Sequence, residues 1–562
     1  MSTSDTPPVA ARPATVAFVG FGPGDPGLLT ARAIELLATA DTVLLDEFTN
    51  PDWLTGLVGE GTRIVPAAAG EHGLELPRAM RLRRVIREAR TTAPPEEPDD
   101  GPERNLGRHP GRRYAGPGAL VVRLIDGCPA AFSLLGEELE ECRREGLHVE
   151  VVPGVPAITA VPTYAGISLT DPGSPAATIW CAEHPPADPS SALAEDVTLV
   201  LLGSPARMSD RLTDLAAAGR DPMTPVAVIE AGTTTTQQTI VTTLREAPEL
   251  LRRGVREPAL VIAGHTVASR SARGWFETKP LIGWRVLIPR TKDQADPMLA
   301  RLARYGAAGE VVPTISVEPP RSPAAVQRAI TGLVTGRYEW IGFTSVNAVR
   351  AVRERFAELG LDARAFAGLR IAAVGGVTAQ ALREWGLEPD LVPSGEQSAQ
   401  GLLADWPPYD PDLDPINRVL LPRADIATET LVAGLQRLGW EVEDVTAYRT
   451  VRAAPPPAPI RDAIKRGAFD AVLFTSSSTV RNLIGIAGKP HPSTVVACIG
   501  PATAKTAADH GLTVSVVAPE ASAEALVDAL ADHGRERAAA AAEAGVAVSR
   551  PSARYLRRHK AT

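Results

Sequence analysis

Four cysteines among 562 residues leave little material for a covalent staple. Cys128, Cys142, Cys181 and Cys498 show no CxxC or Cys/His spacing, which excludes a disulfide framework and a zinc site and implies buried thiols. No apolar run approaches the ~20 residues of a membrane span. The first residues, MSTSDTPPVAARPAT, have neither a basic start nor an apolar h-region, so a cytoplasmic protein is expected. Positive charge is outweighed, with a formal net charge of −8. This balance argues against nucleic acid as a partner and against long-range attraction of an anionic substrate, so a polyanion would need local donors. Aromatic residues, at 4%, decide nothing about class.

What is present is repetition. RVLIPR at 285–290 returns as RVLLPR at 418–423, FTSVNAVRAV at 343–352 as FTSSSTVRNL at 474–483, and AAVGGVTAQAL at 372–382 as ACIGPATAKTA at 497–507. The order is kept at offsets of roughly 125 to 133 residues, too long for a solenoid and suited to a duplicated α/β lobe around a ligand cleft. The Pro-rich stretches VEPPRSP and VRAAPPPAP read as crossings between lobes. One lobe is then expected at 318–450 and the other at 281–317 plus 458–532. Residues 15–270 alternate strand and helix patterns around a charged, Pro- and Gly-rich surface insertion at 91–117, expected to be disordered. GWFETKP at 274–280 reads as a linker, and 533–562 as a flexible, frayed tail.

After the first apolar strand comes GFGPGDPGLLT, with glycines at 20, 22 and 24. The spacing is not the GxGxxG dinucleotide fingerprint. Such a loop brings backbone close to a ligand at a helix N-terminus, and it equally serves as a bare strand-to-helix turn. Taken with EVVPGVPAITAVPTYAGISLT at 150–170 and TPVAVIEAGTTTTQQTIVTTL at 224–244, it resembles the tetrapyrrole methylases, uroporphyrinogen-III C-methyltransferase above all. The resemblance implies a two-lobed methylase fold, S-adenosylmethionine held by Gly22, Pro23, Gly24, Asp25, Gly127 and Ala227, methyl transfer to C2 and C7 of uroporphyrinogen III, and a homodimer through this half. Direct displacement at a sulfonium needs alignment and exclusion of water more than ionisable groups. The chain departs from the family pattern in DGCPAAFSLLGEE at 126–138, where Cys128 replaces an acid, Ser133 a glycine and Leu134 an arginine. It departs again in AAAGEH at 67–72, which lacks the family's cations, and at Leu202, where a methionine is the rule. Each missing charge-assisted bond removes roughly 1.5 to 3 kcal/mol, so a ligand-binding or structural remnant stays an alternative to methyl transfer.

The later half resembles uroporphyrinogen-III synthase. The paired FTS segments, SGEQSAQGLL at 394–403, LLPRADIATETL at 420–431 and VTAYRT at 445–450 keep that family's order. The resemblance implies two Rossmann-like lobes, hydroxymethylbilane as substrate, loss of its hydroxyl as water, inversion of ring D, and no metal or other cofactor in this half. Thr344, Ser345, Thr475, Ser476 and Ser477 follow strand ends, with Thr378 and Thr503 in the matched TA segments and Ser398 in SGEQSAQ. Beside free helix N-terminal amides these hydroxyls are candidates for the substrate's carboxylates, and they are equally ordinary N-caps. Arg290 and Arg423 end the repeated strands and are candidate cations, or partners of nearby acids; Lys505 is a weaker candidate. Tyr448, in the crossing segment, offers a phenolic O–H to the departing hydroxyl, against a reading as a core aromatic. A two-lobed binding module without chemistry remains the rival for this half.

Overall fold

The computed structural model describes residues 14–46, 49, 51–54, 56–59, 61–67, 78–91, 119–131, 135–425, 429–546 and 548–552. Nearly all of the expected insertion at 91–117 and the last ten residues lie outside them. Two compact units result, one of Met1–Trp284 with Ala303–Ala308 and one of Arg285–Leu302 with Gly309–Thr562. The architecture is α/β throughout, with four five-stranded sheets.

In the first unit, β1 (Thr15–Gly22), β2 (Thr42–Leu45), β3 (Arg63–Pro66), β4 (Leu120–Asp126) and β5 (His148–Val152) form a parallel sheet of order β3-β2-β4-β1-β5. TVAFVGFG is buried along its whole length, as a central parallel strand covered on both faces must be. The following helix, Ala31–Thr39, starts where Thr30 accepts a hydrogen bond from the Ala33 amide, a cap worth about 1 kcal/mol. A second, mixed sheet holds β6 (Ala176–Cys181), β7 (Val197–Leu202), β8 (Pro225–Glu230), β9 (Gln238–Thr243) and β10 (Ala259–Ala263) in the order β6-β7-β10-β8-β9. The expected linker at 274–280 is instead packed into this unit: Phe276 is buried and Glu277 is tied by hydrogen bonds to Gln237, Thr239 and Arg270.

The second unit opens with β11 (Arg285–Ile288) and β12 (Ala308–Val311). The chain then crosses to β13 (Ile315–Glu318), β14 (Trp340–Phe343), β15 (Arg370–Ala373), β16 (Arg418–Ala424) and β17 (Glu441–Arg452), ordered β13-β17-β16-β14-β15. It returns to β18 (Ala471–Phe474), β19 (Val495–Cys498) and β20 (Val514–Val517), which complete β12-β11-β18-β19-β20. The matched segments of the repeat thus occupy matched strands. The lobe boundary moves, however, because residues 315–317 pair antiparallel with the far end of β17. The crossing therefore lies before β13, and β17 is parallel to β16 over its first part and antiparallel to β13 over its last.

The tail expected from 533 also begins later. Helix Ala523–Glu543 runs through that point, and Ser552 is buried with its amide donating to Asp470. Among the described residues, no helix is long and apolar enough to cross a membrane.

Candidate functional site

In the first unit the glycine loop leaves β1 beside the end of β4. Gly22 and Gly127 exchange both backbone hydrogen bonds, at 3.0 and 2.9 Å, which joins two loops of the predicted cofactor set. A Cβ on Gly154 would sit 2.2 Å from the Gly127 carbonyl oxygen, and one on Gly20 2.4 Å from the Gly154 nitrogen. Three backbones meet where no side chain fits. Gly24, at φ 138°, faces the turn at 231–237, and a Cβ there would lie 2.9 Å from Thr234 Cγ2.

Asp25 caps the short 3₁₀ turn Pro26–Leu28 by accepting from the Gly27 amide. Its other carboxylate oxygen accepts from the Tyr164 hydroxyl at 2.8 Å, and its own amide donates to Thr233 Oγ1 at 3.0 Å. Burial and this bond to Asp25 hold the Tyr164 phenol well above its ordinary range. Beneath the loop after β4, Asp126 accepts from Thr49, while buried Arg123 donates to Asp46. Asp46, which motif reading passed over, also receives the Asp126 amide at 3.4 Å; its only sequence signal is an acid directly after a buried strand. Ala227 is a correction to the cofactor set. It is fully buried under helix Ala157–Ala165, and its strand is paired on both edges, so it supports the fold. Residues 68–72 and 132–134, the core of two family departures, lie outside the described residues.

In the second unit the candidate hydroxyls stand beyond the carboxyl ends of parallel strands, the usual ligand position in open α/β sheets. Ser345 follows β14 and caps helix Val346–Glu358 by accepting from Ala348 N. Its hydroxyl also lies 2.9 Å from the hydroxyl of Tyr448 on β17. Tyr448 is only 7% exposed and belongs to the apolar cluster of that sheet, whereas Ser345 and its neighbour Thr344 are half-buried. Ser476 follows β18 in a reciprocal capping box with Thr479. Ser477 accepts from Thr506 and donates to the Ala502 carbonyl. Ser398 caps helix Ala399–Asp405, and Thr475 is half-buried.

Three predicted contacts change meaning. Thr378 and Thr503 are each 5% exposed on the inner faces of their helices, so they pack those helices against the sheets. Arg423, 8% exposed, is held by Asp444 and by Glu429, and the bond to Asp444 raises its affinity for its proton further. Its guanidinium is committed to protein carboxylates, and it too leaves the substrate set. Arg290 differs: among the described residues no carboxylate comes within ion-pairing distance. Its Nη1 lies 4.0 Å from Met298 Sδ, and burial weakens its hold on the proton, offset in part by Glu524. No group of three or more potential metal ligands occurs among the described residues.

Residues 15–248 match the family model of Tetrapyrrole (Corrin/Porphyrin) Methylases, and residues 296–528 match that of Uroporphyrinogen-III synthase HemD. The chain joins a tetrapyrrole methylase region to a uroporphyrinogen-III synthase region. It is an enzyme of tetrapyrrole biosynthesis. The porphyrin biosynthesis protein HemD of Ruminiclostridium josui is 28% identical over 530 residues, covering 92% of this chain and 98% of that protein. A siroheme synthase from Aeromonas hydrophila is 33% identical over 267 residues. That match takes in 46% of this chain and 51% of the relative, so the chain spans about half the length of that protein. Among solved structures, a uroporphyrin III C-methyl transferase from Thermus thermophilus is 30% identical, covers 45% of this chain and 99% of its own, and aligns with a TM-score of 0.35. The Ser345–Tyr448 pair lies in the synthase region, and the Gly22–Gly127 bridge in the methylase region.

Proposed function

We propose that the synthase region closes hydroxymethylbilane into uroporphyrinogen III with inversion of ring D, and that the methylase region binds S-adenosylmethionine to methylate that product. The observation that carries the first part is the Ser345–Tyr448 hydroxyl pair at a helix start beyond β14, in the region matched to the synthase family.

The substrate's carboxylates need local donors in a chain of net charge −8. A helix N-terminus contributes about 0.3 to 1 kcal/mol to each, and up to ~2 when partly buried. Helix starts at Ser345, Ser398 and Ser476, together with Arg290, supply such positions. The leaving hydroxyl departs as water only if it gains a proton. Ser345 Oγ already accepts the Ala348 amide, so it can donate its own hydrogen outward while accepting the one from Tyr448. Tyr448 thus serves through Ser345, because the phenol is buried and the serine is half-exposed. Holding the two chain ends in a reactive geometry lowers a barrier by about 7 to 11 kcal/mol, more than the roughly hundred- to ten-thousandfold from a placed acid. Binding in a bent form is therefore the larger contribution. The test is incubation with hydroxymethylbilane: isomer III is expected, and only the spontaneous isomer I would reject the reading.

For the methyl donor, the residues present fit. The loop at Gly22, Pro23, Gly24 and Asp25 is bridged by backbone to Gly127; its glycines and Gly127 hold positive φ, and a Cβ on Gly24 would lie 2.9 Å from Thr234 Cγ2, so backbone rather than side chains lines this cradle. Those five would hold S-adenosylmethionine, which supplies an electrophilic methyl group when bound. The protein's part is to orient the acceptor carbon and exclude water. Cys128 in place of an acid favours a second reading, in which the donor is bound without transfer; counting labelled methyl groups on uroporphyrinogen III separates the two.

A further inference from the structure

Residues 274–280 look like a connector by composition, yet two independent routes run from them to Asp25 in the glycine loop. The first is a line of hydrogen bonds. Arg270 Nη2 donates to Glu277 Oε2 at 2.6 Å, and Glu277 Oε1 accepts from Gln237 Nε2 at 2.9 Å and from the Thr239 hydroxyl. Gln237 Oε1 accepts from the Thr233 amide at 2.7 Å, and Thr233 Oγ1 accepts from the Asp25 amide at 3.0 Å. The Gln237 amide has one chemically sensible orientation here, since a flip would set NH₂ against N–H and oxygen against carboxylate. Ala231 and Thr233 sit at φ 46° and 66°, a left-handed backbone that only a well-held turn sustains.

The second route is aromatic. The Trp275 and Phe276 rings pack on Tyr164 at 5.1 and 4.7 Å between centroids, and Tyr164 donates to the Asp25 carboxylate. Lys279 Nζ lies 5.3 and 4.7 Å from the centres of the same two rings. Asp25 is thus gripped at its amide and its carboxylate by lines that start within residues 275–277. No local sequence feature foretells this, because the partners lie far apart in the chain.

We propose that Glu277 is a positioning residue for the methyl-donor loop, acting through Gln237 and Thr233 to hold the Asp25 amide in place. This rests on the reading of that loop as the S-adenosylmethionine site. Residues 274–280 then belong to the methylase machinery, and a cut made before 274 removes part of the site.

The test uses the full chain carrying Glu277→Leu or Glu277→Gln. Both substitutions remove the ion pair with Arg270, but only glutamine keeps an acceptor for Gln237 and Thr239. Two quantities are read: hydrogen–deuterium exchange of residues 22–29, and calorimetric affinity for S-adenosylmethionine. Glu277→Leu is expected to speed exchange in the loop and weaken affinity by about tenfold or more, with Glu277→Gln close to the wild type in both. Where Glu277→Leu does not fold, Thr233→Val, which deletes only the last link, carries the same expectation. Loop exchange and affinity that do not separate leucine from glutamine, or valine from wild type, overturn the positioning role. Failure of the wild-type chain to bind S-adenosylmethionine overturns the donor-site reading, and with it this role, whatever the exchange shows.

Discussion

Ser345 and Tyr448, 103 residues apart in the chain, bring their hydroxyls to 2.9 Å in the second unit. The serine caps a helix and the tyrosine is buried in the sheet, so one short contact joins a helix start to a core residue.

Tyr448→Phe should fold, at a cost of about 1 kcal/mol for the lost hydrogen bond, and should lower the rate of isomer III formation by about a hundredfold. Ser345→Ala should lose a similar factor and also a cap worth about 1 kcal/mol. Product isomers resolved by chromatography, beside a denaturant melt, check both; an unchanged rate in Tyr448→Phe removes the tyrosine from the chemistry.

Arg423→Met should act on stability. Removing the guanidinium leaves Asp444 without its charged partner, a loss of about 3 kcal/mol at most, since Asp444 is partly open to water. The denaturation midpoint should fall while folded protein keeps isomer III formation within a few fold. A variant of unchanged midpoint with substrate affinity lost would restore Arg423 to the substrate set.

Gly154→Ala should damage the methylase region alone. Its Cβ would lie 2.2 Å from the Gly127 carbonyl oxygen, and backbone must shift, at a cost of about 3 kcal/mol. Loss of S-adenosylmethionine binding with isomer III formation retained is the expected pair of results.

Burial pushes the Cys142 thiol up to about 12, helped by Glu138 and Glu145, and pushes Cys498 up to about 11. The ordinary thiol value is 9.0, so as pH rises above 9 the unfolded chain loses these protons first. Stability should therefore fall from pH 9 upward, by at most about 1.4 kcal/mol per pH unit for each thiol. Melting at pH 8, 9 and 10 tests the direction. Alkylation of native protein should modify half-exposed Cys128 and Cys181 well before Cys142 and Cys498.

Much of the fold was legible because its signals are local. Apolar strands, glycine turns and serine caps recur in order, and RVLIPR and RVLLPR became β11 and β16 in the two sheets of one unit. The boundary at 315–317 was not, since a strand's partner is set by pairing and β13 reads the same whichever sheet receives it. Thr378 and Thr503 occupied the places expected of them in sequence, yet the angular position of each on its helix turned it inward.

Composition and order alone determined the α/β class, the duplication of the later half, and the serine and glycine positions at element ends, because backbone propensity and burial period act over a few residues. Tertiary structure alone decided that Arg423 pairs with Asp444, that the Tyr448 hydroxyl meets that of Ser345, and that Glu277 is linked to Asp25 through Gln237 and Thr233. Side-chain partners distant in sequence are chosen by which surfaces packing brings into contact, and short-range pattern carries no record of that choice.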